Sequence, residues 1–171
     1  LKDSTRLLAQ GRDQAYATFQ EALQEAAKEA RSRGGFVHRF LGDGLLVLFG
    51  APKAQGEEAR RALEAAWEMV RKSPFPARAG VATGEVLWTP LGSGQAGEAT
   101  AVGLPVNLAE RLSKLAPPGT VLLDAETLRL AGKVQAQGRA EEVPGFGVLE
   151  LYQLEGVVPS PDPPEGLEAP L

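Results

Sequence analysis

The sequence contains no cysteine. Disulfide staples, zinc–thiolate centres and cysteine nucleophiles are thereby excluded, and the chemistry falls to carboxylates, hydroxyls, amides and guanidinium groups. Only one histidine is present, His38, so no second imidazole can complete a metal set or a nucleophile relay around it. Its spacing between Phe36 and Phe40 puts it on one strand face with two aromatics, a structural setting. Long apolar runs are also missing. The longest, Leu45 to Phe49 behind Gly44, is far short of the roughly 20 residues of a membrane span, and no basic-then-apolar leader opens the chain. Positive charge is not in excess: 18 Lys and Arg are interspersed among 22 Asp and Glu, for a net charge of −4. Such a surface lacks the phosphate-tracking stripe that nucleic-acid binding needs. The expectation is a cytoplasmic domain with no membrane span and no nucleic-acid partner. No internal repeat is present.

What is there is ordinary globular material. The 171 residues are 43% apolar and 23% charged, enough for one domain with a sizeable core. Ala15, Phe19, Ala22, Leu23, Ala26 and Ala30 recur at three- and four-residue steps and predict a helix over Gln14–Ser32, stopped by Gly34-Gly35. Two β-rich stretches, Phe36–Leu41 and Leu45–Phe49, flank Gly42-Asp43-Gly44 and predict a hairpin. The second is apolar on both faces, which predicts a central position in its sheet.

Glu57–Lys72 reads as an amphipathic helix ended by Ser73-Pro74. Arg78–Ala82 and Glu85–Trp88 read as strands, Gly92–Gly97 as a ligand-facing or mobile loop, and Ala99–Val102 as a strand. Pro105 suits the first turn of a helix reaching Leu115, which Pro117-Pro118-Gly119 breaks. Thr120–Leu123 is a strand, Asp124 caps a short helix, and Val134–Leu154 folds into two strands about Pro144-Gly145. Interleaved strands, hairpins and helices predict an α+β sheet covered by helices. From Val158 onward, five of the chain's 13 prolines predict a linker.

Two constellations can carry chemistry. Asp43, held at a tight turn between glycines without side chains, can reach a bound cation unobstructed, although an Asp-Gly turn is also simply a common hairpin turn. Asn107 and Arg111 stand four residues apart on one helix and share a face. An amide and a guanidinium so placed can hold a sugar and neutralise a phosphorane, or form no more than a solvated polar pair. Ser93 has no basic partner nearby and is assigned no nucleophilic role.

The order of these segments carries a resemblance. GGFVHRFLGDGLLVLFGAP at Gly34–Pro52 resembles the metal-binding hairpin of class III adenylate and guanylate cyclases. RAGVATGEVLWTPLGSG, then TAVGLPVNLAERLSKLAPPGTVLLDAET, then VPGFGVLELYQLEG resemble that family's next blocks in order and spacing. The resemblance implies a ferredoxin-like cyclase fold with a mainly antiparallel central sheet. It implies conversion of ATP, or less readily GTP, to the 3′,5′-cyclic nucleotide and pyrophosphate, with two Mg2+ or Mn2+ ions in a site shared by a homodimer. Asp43 is then a metal ligand, Asn107 orients the ribose and Arg111 stabilises the transition state. Arg39 and Thr100 read the purine, and Gly42 and Gly44 flank the substrate.

The chain departs from the family at three points. The family's first metal-binding aspartate falls on a strand just ahead of Leu1, so the expectation is a cyclase-type domain over residues 1–157 lacking its first strand, followed by a linker over 158–171. Arg39 stands where Lys or Glu is usual, and Phe146 replaces a triphosphate-binding Lys. These departures keep open a second expectation, a degenerate cyclase-homology module that dimerises or binds nucleotide. The segment PSPDPPEGLEAPL resembles the linker ahead of further regulatory domains in large cyclase-containing regulators.

Overall fold

The structure is a computed structural model and describes residues 2–41, 44–51, 56–90 and 99–157. Helix α1 spans Lys2–Ser32. It begins well ahead of Gln14, because nothing between Lys2 and Asp13 breaks a helix except Gly11, whose cost of about 1 kcal/mol is tolerated. Residues 11–18 are all exposed, Ala15 of the expected stripe included, so the buried stripe does not reach into this stretch. From Phe19 onward the stripe appears, and Leu23, Ala27 and Ala30 are buried.

Strands β1 (Phe36–Leu41) and β2 (Gly44–Leu48) form the expected antiparallel hairpin, with Phe36 opposite Leu48 and Leu41 opposite Gly44. Helix α2 (Glu58–Lys72) buries Ala59, Leu63, Ala65 and Ala66 on one stripe. It stops at Ser73, whose extended backbone is the conformation a following proline imposes. Strands β3 (Ala79–Val81), β6 (Val121–Asp124), β7 (Val134–Val143) and β8 (Gly147–Val157) make a four-stranded sheet in the order β3-β6-β8-β7. Strands β4 (Leu87–Pro90) and β5 (Ala99–Val102) pair separately. Helix α3 spans Leu104–Leu115. In α4 (Ala125–Ala131), the Asp124 carboxylate caps the first turn by accepting from the Thr127 N–H at 3.1 Å.

The α+β class and the mainly antiparallel sheet are as expected, with one parallel pair, β3–β6, among the antiparallel ones. Among the described residues β2 pairs only with β1 and is half-buried over most of its length, so the central position expected for it is not seen among them. Apolar residues on both faces report cover above and below a strand but carry no information about its second edge. That edge and β3 line one open groove of about 1450 Å³.

The core lies on both sides of β6. Alternation sends Val121 and Leu123 toward Ala59, Leu63, Ala66, Ala131 and Leu154, while Leu122 faces Leu108, Leu112, Ala116, Val143 and Leu151. Helix α3 is therefore fixed on one face of the sheet, and α2 and α4 on the other.

Candidate functional site

Helix α3 starts from Gly103, with Pro105 in its first turn, where a missing N–H costs nothing. Leu108 and Leu112, one turn apart, are buried, with Ala116 beyond them. Burying this stripe leaves Asn107 and Arg111 exposed on the outer surface. Their neighbours Glu110 and Lys114 pair with each other at 3.6 Å. Among the described residues the Asn107 amide and the Arg111 guanidinium have no hydrogen-bond or ion-pair partner. An amide and a fixed cation thus stand side by side, with all side-chain donors available to a ligand.

The remaining expected site residues are distributed over two hairpins. Gly44 opens β2 and lines the groove, and an added Cβ there would meet nothing within 4 Å. Arg39 lies in β1 opposite Leu46, and Thr100 lies in β5 opposite Thr89. Gly42 and Asp43 lie outside the described residues, as do the Gly92–Gly97 loop and the 158–171 segment. Pro105, Val106, Ala109, Glu110, Ser113 and Lys114 of α3 line the groove that Gly44 also lines, whereas Asn107 and Arg111 do not. Within one chain, the Asn107–Arg111 face is turned away from the groove beside the β1–β2 hairpin.

Trp88 of β4 connects the two hairpins. Its ring sits 5.4 Å from Phe36 edge-on and 5.5 Å from His38. His38 thus has the structural role expected of it. Phe146 is half-buried against the cluster beneath α3 that includes Leu108 and Leu112, so it serves as packing there.

Sequence reasoning passed over three glycines that seat α3. A Cβ on Gly80 would fall 2.3 Å from the Ala109 carbonyl oxygen and 2.5 Å from the Ser113 nitrogen. One on Gly84 would meet the Pro105 ring at 2.6 Å, and one on Gly103, whose φ is +151°, would meet the Glu85 carbonyl oxygen at 2.9 Å. The available signal was Gly80 itself, an isolated glycine in a strand pattern, which marks close backbone approach. Also passed over was the hydroxyl chain in which Thr83 and the fully buried Thr127 lie 2.7 Å apart and Thr127 donates to Asp124 at 2.5 Å.

No protein-family model matches the chain. Among curated proteins, the uncharacterized protein Rv1319c of Mycobacterium tuberculosis is 35% identical over 108 residues, 59% of this chain and 20% of its own length. Uncharacterized protein Rv1320c of the same organism is 36% identical over 112 residues, 61% and 20% of the two chains. The chain therefore spans about a fifth of the length of these relatives. Among solved structures, the guanylyl cyclase Cya2 matches with a TM-score of 0.77 and 26% identity over 86% of this chain and 83% of its own. The adenylyl cyclase CyaB from P. aeruginosa matches at 0.74 and 27%, covering 84% and 83%. The guanylate cyclase domain of RhGC from Catenaria anguillulae in complex with GTP matches at 0.76 and 24%, covering 84% and 85%. A chain that follows adenylyl and guanylyl cyclases alike through helices, hairpins and mixed sheet has the fold of the class III adenylyl/guanylyl cyclase catalytic domains.

Proposed function

We propose that this domain is a nucleotide cyclase that forms the 3′,5′-cyclic nucleotide from ATP, and less readily from GTP, at a site shared by two copies. The observation that carries this reading is the pair Asn107 and Arg111, exposed and unpartnered among the described residues, on a helix whose other charged neighbours are paired. In the reaction the ribose 3′-hydroxyl loses its proton to solvent, its oxygen bonds to the α-phosphorus, the bond from that phosphorus to the bridging oxygen breaks, and pyrophosphate leaves. Asn107 holds the ribose so that its 3′-oxygen lies in line with the leaving group. Arg111 places its guanidinium against the charge that builds on the equatorial oxygens of the phosphorane. Arg39 offers N–H donors to the purine, which suits a ring-nitrogen acceptor and favours adenine, with Thr100 as its companion.

Two observations support sharing between copies. Asn107 and Arg111 face away from the groove that Gly44 of β2 lines, as expected if they serve a substrate held by the hairpin of another copy. Leu87 and Val102, opposite one another in β4–β5, and Leu104, three residues before Asn107 at the head of α3, are exposed apolar residues. A second copy covering them brings its own Asp43 to the Asn107–Arg111 face.

A hard divalent cation such as Mg2+ or Mn2+ takes oxygen donors, and the carboxylate of Asp43 is of that class. Open space around Gly44 leaves room for a hydrated ion. By the resemblance, Asp43 is the residue that would hold it; among the described residues no group of three or more His, Asp or Glu could do so. When bound, the ion supplies Lewis-acid activation of the nucleophile and neutralisation of the phosphates. The groove between β2 and β3, each paired on one side only among the described residues, is the seat for one further strand, which by the resemblance carries the second carboxylate.

Phe146 favours a second reading. It packs beneath α3 where the family presents a phosphate-binding cation, as expected of a cyclase-homology module that binds nucleotide or dimerises without turnover. Incubation of the protein with ATP or GTP and Mn2+, followed by chromatography of the products, separates the two. The enzyme reading requires cyclic product that disappears in Asn107→Ala and Arg111→Ala while thermal stability stays the same. Metal-dependent nucleotide binding without product supports the module and refutes the enzyme.

A further inference from the structure

We propose that Gly80, with Gly84 and Gly103, forms a positioning seat for α3 that sets where Asn107 and Arg111 stand relative to the sheet. Strand β3 and helix α3 approach more closely than a side chain allows. The Cβ that Gly80 lacks would lie 2.3 Å from the Ala109 oxygen, 2.5 Å from the Ser113 nitrogen and 2.8 Å from the Leu112 Cβ. The first two are helix backbone atoms and cannot rotate aside, so any larger residue displaces the helix as a body. Ala109 and Ser113 lie on either side of Arg111 in the chain, so the guanidinium moves with them. Gly84 and Gly103 act on the same helix nearer its start, through the rigid Pro105 ring at 2.6 Å and the Glu85 carbonyl at 2.9 Å. Leu108 and Leu112, buried against Leu122 and Leu151, hold the helix down onto this seat.

None of the three glycines touches substrate in this scheme. They act through α3, and their catalytic consequence rests on the cyclase reading while their geometric consequence does not. The test therefore has two arms. Because the chain has no cysteine, nitroxides placed at Lys114→Cys on α3 and Lys133→Cys ahead of β7, in labelled chains diluted into excess unlabelled protein so that a dimer carries at most one labelled chain, report a single intrachain distance by double electron–electron resonance. Gly80→Ala is expected to shift that distance by roughly 1 Å, and a misplacement of that size lowers kcat on the order of 10²-fold while KM stays within about threefold. Gly138→Ala is the control. The nearest atoms to its Cβ would be those of the Tyr152 side chain and the Glu150 carboxylate, on β8. It should lower the melting temperature without moving the label distance or kcat.

If Gly80→Ala does not fold, Gly84→Ala takes its place, with the same expected shift and loss. An unchanged distance in a folded Gly80→Ala or Gly84→Ala overturns the seat. So does a kcat loss that Gly138→Ala reproduces at equal thermal stability. If the wild type makes no cyclic product, the function proposed above fails, and the label distances still decide the seat.

Discussion

Mixing two inactive variants is the sharpest test of a site divided between copies. Arg111 is exposed and has no partner among the described residues, so Arg111→Ala should change stability by no more than about 0.5 kcal/mol. Its removal deletes a preorganised positive charge at the phosphorane, a loss of about 10² to 10³ in kcat, or about 3–4 kcal/mol. Asp43→Ala should be as inactive, for want of a metal ligand. In a two-fold dimer of one chain of each kind, one site carries both substitutions and the other carries neither. Random pairing makes half of the dimers mixed, so the unfractionated mixture should return to about a quarter of the wild-type activity and purified mixed dimers to about a half. Each variant carries a different affinity tag, mixed dimers are purified on both tags, and cyclic product is measured with Mn2+. Doubly tagged dimers without activity would refute the division of the site between copies. Full activity in Arg111→Ala alone would refute the role given to that residue.

Four further outcomes are expected. Leu112 is fully buried beneath α3; Leu112→Ala should cost about 3 kcal/mol by creating a cavity, and thermal unfolding should show a melting temperature lower by roughly 6–12 °C. Asp124→Ala removes the acceptor for the Thr127 N–H and hydroxyl, and should cost about 1 kcal/mol in a urea titration. Burial pushes the Glu29 carboxyl up, but hydrogen bonds from Arg33 and Lys72 outweigh it and hold the group below its ordinary value of 4.5. That contribution is present above 4.5 and is lost as pH falls through the lowered value, so Glu29→Gln should melt earlier near neutrality, with the gap closing in acid. Chelation with EDTA should abolish cyclic product, and added Mn2+ should restore it in the wild type but not in Asp43→Asn.

Much of the fold was legible because its punctuation is local. Gly34-Gly35 after α1, Ser73-Pro74 after α2 and Pro117-Pro118-Gly119 after α3 each end a helix by backbone geometry that needs no tertiary partner. The start of α1 was not legible, since residues 11–18 are exposed and carry no buried stripe that would lead back to it. For the site, the four-residue spacing showed that Asn107 and Arg111 share a face. It did not show that this face points outward, because that follows from Leu108 and Leu112 being claimed by the sheet.

From the chain alone came most of the succession of helices and strands and the β1–β2 hairpin, which depend on residue type and on spacing within a few positions. The roles expected of Asp43, Asn107 and Arg111 came from the resemblance. The tertiary structure decided that β6 is buried between two cores, that β3 runs parallel to it, that β2 keeps one edge toward an open groove, and that three glycines let α3 settle against its strand. Apolar periodicity encodes how deeply a residue is buried; which backbone lies beside it, and how near, is settled only when distant segments meet.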